Sequence, residues 1–151
     1  MMKRLLAILV VMAMVVGALI PVLAQTSAAS ACENGLTPGY WKNHTEVWDN
    51  DPLGEWDGPV PGDSFEGVFG VDIPGADVTL LQALQTGGGQ WKALNRHAVA
   101  ALLNSYWLGA ESDGWDYYSE YHIIVEVVQE AYSSGDFEYW KNHLEETYNW
   151  A

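Results

Sequence analysis

One pentapeptide occurs twice in this chain, and it combines the residue types that bind metals, sugars and other proteins. It stands at Tyr40-Trp41-Lys42-Asn43-His44 and recurs unchanged at Tyr139-Trp140-Lys141-Asn142-His143. The imidazole can ligate a metal or transfer a proton, and the two aromatic rings can lie against an apolar or sugar surface. Either both copies perform the same packing task at the two ends of one domain, or they form one site together.

The spacing of the histidines argues against a transition-metal site. His44, His97, His122 and His143 belong to no HExxH, HxH or other close ligand pair, and Cys32 is the only cysteine. A structural zinc site would usually bring cysteines. In each copy of the pentapeptide, tryptophan and histidine are three residues apart and share one face of a helix. We therefore expect the tryptophans to fill the core, and the histidines and asparagines to bond to backbone groups.

Calcium is the better candidate for a bound metal. The segment Asp49-Asn50-Asp51-Pro52-Leu53-Gly54 has acids at positions one and three and a glycine at six, like the start of an EF-hand loop. It departs from that pattern at positions five (Leu53) and twelve (Val60), and a proline interrupts it. Asp57 offers a further carboxylate. The sequence is therefore compatible with an irregular calcium site at Asp49, Asp51 and Asp57, and it indicates no other cofactor.

A calcium site would make the thermal stability of the protein depend on calcium. An ion that binds only the folded state stabilises that state, so millimolar calcium is expected to raise the melting temperature. Thermal melts of the protein with calcium and with a chelator measure this effect. A melting temperature that is the same in both conditions would rule out the site.

Residues 1–31 have the layout of a secretory signal peptide. Lys3 and Arg4 precede an unbroken apolar run over residues 5–20, and small residues follow it up to Ala31. Cleavage is expected after Ala31, with a second possible site after Ala24. The alternative is an uncleaved membrane anchor, because the run from residue 5 to 24 is about 20 residues, long enough to span a bilayer. Either interpretation places residues 32–151 outside the cytoplasm.

Cys32 would be the first residue after that cleavage. As the single cysteine it can form no disulfide within the chain, which leaves lipidation or an intermolecular disulfide as its candidate modifications. A membrane contact is therefore expected only through an uncleaved signal peptide or a lipidated Cys32.

The charge of the chain excludes several classes of partner. Residues 32–151 keep 4 of the 6 basic residues and all 20 acids, a formal charge of −16 (4 minus 20). Nucleic acid and anionic membranes are bound through lysine and arginine, so we expect neither as a partner. The charge is compatible with cations, with a basic partner, or with solubility alone.

The hydrophobic periodicity predicts a single, mainly α domain of four to five helices with long acidic loops. The predicted helices span residues 38–48, 78–85, 90–108, 120–132 and 137–148, with Thr37, Asp77, Ser119 and Asp136 as N-caps. Residues 64–69 form either one helical turn or a short strand. The helix over residues 90–108 is predicted to be central, with Gly109 as its stop, and Ile123, Val127 and Ala131 are predicted to line the buried face of the next helix.

Several of these segments together resemble a domain of secreted and cell-surface bacterial and archaeal proteins. The first motif of that domain is G-[YF]-W-K-[NT]-H, often preceded by a cysteine, and it corresponds here to Cys32 through His44. The second motif is a helix that ends in Ala-Ala-x-Leu-Asn and is followed by Gly-Ala. It corresponds here to Ala100-Ala101-Leu102-Leu103-Asn104 and Gly109-Ala110. The resemblance covers most of residues 32–151. Related sequences often carry a further cysteine that this chain lacks. The family has no established activity, so the resemblance implies an extracellular or envelope location, sometimes beside adhesive or repeat domains.

These observations favour a secreted or surface-associated binding or structural module that is not an enzyme. Its partner would be a cell-surface glycan or protein, and aromatic residues at or near predicted loops offer rings for stacking on sugars: Trp48, Trp56, Trp107, Trp115, Tyr117 and Tyr118. The alternative is an extracellular hydrolase that acts on glycans through Asp/Glu pairs. No G-x-S-x-G elbow accompanies the serines.

Overall fold

The computed structural model describes residues 35–48, 58–111 and 117–149, with side chains described outside residues 108–119. These residues belong to one compact unit that spans Asn34–Ala151. The described part is mainly helical and contains no strand, only an isolated antiparallel bridge between Ser64 and Thr79. The predicted small, mainly α fold is thereby confirmed. The predicted signal peptide and Cys32 lie outside the described residues.

Six α-helices and one short 3-10 helix make up the described part. They are α1 (Pro38–Trp41), the 3-10 helix Thr45–Val47, α2 (Phe65–Phe69), α3 (Leu80–Gln85), α4 (Trp91–Glu111), α5 (Tyr117–Ser134) and α6 (Phe137–Tyr148). Within the described ranges, none of these helices is long and apolar enough to cross a membrane.

Helix α4 is the centre of the fold, as predicted. It contacts α1, α3, α5 and α6, and residues 98–106 are buried on every side of the helix. The predicted stop at Gly109 is wrong, because α4 continues to Glu111. A glycine inside a helix costs only about 1 kcal/mol and does not end it unless the next turn lacks support.

Helices α5 and α6 form a hairpin that packs against α4. Gly135 adopts a left-handed conformation (φ 74°) between them, and the Asp136 side chain accepts a hydrogen bond from Tyr139 N at 3.3 Å. The predicted bounds of α6 are confirmed. The buried face of α5 is carried by Ile124, Val127, Val128 and Ala131. The prediction for Ile123 is wrong: it is 44% exposed, because it lies one position outside this i, i+3, i+4, i+7 stripe.

In the segment before α4, the structure decides between the two alternatives for residues 64–69 and contradicts the predicted N-cap of α3. Residues 65–69 form a helical turn capped by Ser64, so the strand alternative is wrong. Thr79, and not Asp77, caps α3, because Thr79 and Gln82 bond reciprocally in a capping box. Asp77 instead accepts hydrogen bonds from Ser64 Oγ at 2.6 Å and from Glu66 N at 3.2 Å, which tie α2 to the turn before α3.

Candidate functional site

The first copy of the pentapeptide begins a helix and then ends it. Thr37 caps α1 as predicted, since its side chain accepts a hydrogen bond from Tyr40 N at 3.3 Å. The prediction that this helix runs to residue 48 is wrong, because α1 ends at Trp41. After it, the N–H groups of Asn43 and His44 bond three residues back, to Tyr40 O and Trp41 O, instead of four.

Side chains of the motif take the carbonyl groups that a longer helix would have used. Asn43 Nδ2 donates to Gly39 O at 2.9 Å, and His44 Nδ1 lies 2.9 Å from Tyr40 O. A carbonyl oxygen only accepts, so Nδ1 of His44 carries the proton. The His44 ring also stacks on the Tyr40 ring, with the centroids 4.0 Å apart and the planes at 12°. These bonds let a four-residue helix end without unpaired carbonyls.

Two tryptophans anchor this segment in the core. Trp41 is 1% exposed and Trp48 is fully buried. Trp48 Nε1 donates to Trp41 O at 3.1 Å, and Trp41 Nε1 donates to Asn104 Oδ1 at 2.9 Å. Trp48 was a candidate for stacking on a sugar, but its burial leaves no ring face for a ligand.

Asn104 of α4 joins the two ends of the described domain. Its Oδ1 accepts hydrogen bonds from Leu36 N and Trp41 Nε1, both at 2.9 Å. Its Nδ2 donates to Leu36 O at 2.8 Å and Tyr148 O at 2.7 Å, and it lies 3.0 Å from Asn149 Oδ1. Asn104 itself is 1% exposed. One buried amide thus satisfies backbone groups from segments at both ends of the fold.

Gly35 allows the N-terminal segment to approach this closely. A Cβ atom at position 35 would lie 1.7 Å from Tyr148 O and 3.1 Å from Asn104 Nδ2. Only glycine fits such a backbone-to-backbone approach. We refer to Gly35, Leu36, Asn104, Tyr148 and Asn149 as the Asn104 clasp.

The second copy of the pentapeptide has a different environment from the first. It lies inside the continuous helix α6, where Tyr139 is 59% exposed, Asn142 and His143 are exposed, and Trp140 is half-buried. The expectation that both motif tryptophans are mostly buried holds, but Trp41 lies within the core whereas Trp140 packs at its margin. Leu144, which follows this copy, is fully buried and continues the apolar stripe of α6. In the first copy, a polar residue, Thr45, follows the histidine.

The two copies lie at different distances from Asn104 of α4. Trp41 meets α4 at Asn104, which also holds the carbonyl of Tyr148 at the end of α6. Trp140 lies eight residues before Tyr148, about 12 Å along a helix axis. The first copy therefore bonds to the clasp through Trp41, whereas the second exposes Tyr139 and His143 and packs Trp140 against the core.

The structure also brings together polar residues that the sequence patterns had not combined. His97 of α4 is half-buried, and Asn149 Nδ2 donates to His97 O at 2.9 Å and lies 3.4 Å from His97 Nδ1. Burial lowers the pKa of His97; Glu145 opposes this shift, while Lys141 and Arg96 add to it. The polar residues within the apolar stripe of α4 were the sequence signal for a buried polar contact. The stripe alone does not identify Asn149 as the residue that contacts His97.

We expect the lowered pKa of His97 to make the protein less stable in mild acid. The unfolded chain takes up a proton near pH 6.5, whereas folded His97 resists protonation until a lower pH. The contribution of neutral His97 to the free energy of unfolding is therefore fully present above pH 6.5 and declines as the pH falls below that value. Denaturation midpoints between about pH 5 and 7.5 measure this decline.

His97→Gln is the matched variant for this measurement, because it removes the titration and keeps a polar side chain. Its midpoint is expected to change less over the same pH range. The pKa of Glu145 is lowered, chiefly by its hydrogen bond from Lys141, so the Glu145 contribution is lost only below pH 4.5 and does not interfere. If the denaturation midpoint changed equally with pH in both proteins, the assignment of this pH dependence to His97 would be contradicted.

Several predicted site residues cannot be placed. Asp49, Asp51 and Asp57, the candidate calcium ligands, lie outside the described residues, as do Trp56 and Trp115. Among the residues that the structure describes, no group of three or more histidine, cysteine or acidic side chains could hold a metal ion. The calcium site thus stays a prediction.

Comparisons of the chain with protein-family models, with curated proteins and with solved structures gave no significant match.

Proposed function

We propose that this chain is a secreted or surface-associated module that binds a macromolecular partner, without catalysis, through the outward face of α6. That face carries Tyr139, Asn142, His143 and Glu146, all of them exposed. Their i, i+3, i+4, i+7 spacing places them on one side of the helix. We refer to these four residues as the outer stripe of α6.

The observation that carries the proposal is the contrast between the two copies of the pentapeptide. In the first copy, the tryptophan, asparagine and histidine side chains form hydrogen bonds within the domain. In the second copy, Tyr139 is 59% exposed, more than the other exposed large hydrophobic residues of the described chain, Val60 (38%) and Ile123 (44%). A large tyrosine ring on the surface adds little to folding, but tyrosines are enriched among the residues that dominate binding energy.

The aromatic rings of the second copy contact one another, so their side chains are already ordered before a partner binds. The Tyr139 and Trp140 rings meet edge to face with centroids 4.9 Å apart and planes at 83°. The Trp140 and His143 rings meet edge to face at 5.8 Å and 90°. Trp140 also packs against the core, which ties this row of rings to the fold. A preorganised surface loses less conformational entropy when a partner binds.

The charged groups beside this surface also support a role without catalysis. Lys141 Nζ forms ion pairs with Glu145 Oε2 at 2.8 Å and with Glu138 Oε1 at 3.8 Å, within one helix. The hydrogen bond from Lys141 is the main cause that lowers the pKa of Glu145, so this carboxyl is a poor general acid at neutral pH. The alternative, a glycan hydrolase, instead requires one carboxyl group whose pKa is raised.

Tyr139→Ala is expected to weaken binding to the partner by about tenfold or more, as the loss of a central tyrosine does in protein interfaces. The melting temperature should change little, because the side chain is exposed. The measurement is retention of the purified protein on a panel of immobilised polysaccharides and of cationic, neutral and anionic polypeptides. Val60→Ala, which removes an exposed apolar side chain elsewhere, is the control and should bind like the unaltered protein.

Two outcomes would contradict the proposal. Retention on no surface, or retention that Tyr139→Ala leaves unchanged, would remove the outer stripe as a binding site. Release of reducing sugar ends from any polysaccharide in the panel would favour the hydrolase instead.

A further inference from the structure

We propose that the partner of the outer stripe is an extended polypeptide segment rich in arginine or lysine. This inference rests on the proposed binding role of α6 and adds the chemistry and the spacing of the ligand.

The hairpin formed by α5 and α6 carries a strongly negative charge. Residues 117–149 contain seven acids and a single basic residue, Lys141. Six of the acids have exposed positions: Glu126, Glu130, Asp136, Glu138, Glu145 and Glu146. The Lys141 side chain is only 17% exposed and its amine is paired with Glu145 and Glu138, so it offsets little of this charge at the surface. The hairpin therefore attracts cations and repels anionic polymers.

An exposed aromatic ring lies among these acidic positions. Tyr139 is preceded by Asp136 and Glu138 and is followed two helical turns later by Glu146. A guanidinium or ammonium group lying on an aromatic face is attracted by the ring, and arginine also stacks on it through its planar group. A cationic side chain on Tyr139 would thus meet both the ring and nearby carboxylates. A neutral sugar would use the ring and gain little from the acids.

The outer stripe also has a spacing that a peptide ligand can match. Tyr139 and Glu146 are seven residues apart, which is about 10.5 Å along a helix. In a polyproline II segment, which is extended and has three residues per turn, residues three positions apart lie on the same side of the peptide and are separated by about 9 Å. A segment with basic residues at every third position can therefore place one cation on Tyr139 and the next beside Glu146. His143 and Asn142 lie between these two points and can bond to the peptide backbone.

The test uses the full chain and a short fluorescent peptide with arginine at every third position in a glycine–serine background. Its dissociation constant is measured by fluorescence anisotropy at low and at high salt. The reference probes are a peptide with glutamate at the same positions and one with the same arginines placed consecutively. We expect the spaced arginine peptide to bind most tightly, with an affinity that falls as salt rises, and the glutamate peptide not to bind.

Two variants of the outer stripe and two controls assign the interaction to its site. Tyr139→Ala is expected to weaken binding of the spaced peptide about tenfold, and Glu146→Gln about threefold. The controls are Val60→Ala and Glu46→Gln, which make the same kinds of change outside the hairpin and should stay within about twofold of the unaltered protein. Melting curves establish that all four variants fold.

The possible failures separate the two proposals. If Glu46→Gln weakens binding as much as Glu146→Gln, or if Tyr139→Ala has no effect, the attraction is non-specific and the cationic segment is overturned. If the peptide does not bind but a neutral polysaccharide does, and Tyr139→Ala abolishes that retention, the cationic segment is overturned and the binding role of α6 stands. If no probe responds to Tyr139→Ala, both proposals are overturned.

Discussion

Replacing Trp41 by alanine is expected to lower the free energy of unfolding by about 3–5 kcal/mol, the usual cost of removing a buried tryptophan. Trp41 is 1% exposed, its ring meets that of Tyr40 edge to face at 5.3 Å, and its Nε1 donates to Asn104. The substitution removes this apolar volume, and it also deprives the buried Asn104 oxygen of a donor. Urea denaturation followed by circular dichroism measures the change without relying on tryptophan fluorescence.

Trp140→Ala is the matched control, because it removes the same residue from an identical pentapeptide. Trp140 is less buried than Trp41, and its loss does not deprive the buried Asn104 oxygen of a donor, so the substitution is expected to cost at least about 1 kcal/mol less. A similar loss of stability in both variants would mean that the two copies contribute equally to the fold. That outcome would contradict the assignment of only the first copy to the core.

Replacing Asn104 by alanine is expected to lower the free energy of unfolding by about 3 kcal/mol or more, because each buried polar group left without a partner costs about 1–3 kcal/mol. The groups at risk are the backbone N–H and carbonyl of Leu36, Nε1 of Trp41 and the carbonyl of Tyr148. Amide hydrogen exchange provides a second measurement. The Leu36 amide should lose its protection, since its acceptor is Asn104 Oδ1.

Asn142→Ala is the control for this experiment. Asn142 is an exposed asparagine of α6, and its substitution should change stability by no more than about 0.5 kcal/mol. If Asn104→Ala changed stability as little, or left the Leu36 amide protected, the clasp would not hold the two ends of the domain together.

Local patterns were sufficient to predict the long helices of this fold. The bounds of α6 follow from its Asp136 cap and its apolar stripe, and α4 is identified by its periodicity. The end of α1 did not follow from such patterns, because side chains there compete with backbone N–H groups for the helix carbonyls. Asn43 and His44 bond to the carbonyls of α1 and end it, although their identities are repeated in α6, where the helix continues. The pentapeptide therefore does not determine its own conformation, which depends on the neighbouring residues and on the packing of each copy.

The candidate site was less predictable than the helices. The clasp joins Asn104 to Leu36, 68 positions away, and to Tyr148, 44 positions away. Periodicity and capping patterns act over a few residues and carry no information about such pairs. The repeat of the pentapeptide did draw attention to Tyr139, but its exposure depends on the packing of the hairpin. In the sequence, the carboxylates around Tyr139 could be recognised only as part of the overall negative charge of residues 32–151.

The Asn104 clasp also determines how this domain would carry mechanical load. Gly35 and Leu36 are held beside Tyr148 and Asn149, so the backbone reaches and leaves the core at nearly the same place. Tension between residues 35 and 149 would be borne first by the hydrogen bonds of one buried amide, before it reached the packed faces of the helices. A module tethered near residue 35 and gripped on α6 would transmit force across that same amide. The clasp is therefore the point at which such a module would yield.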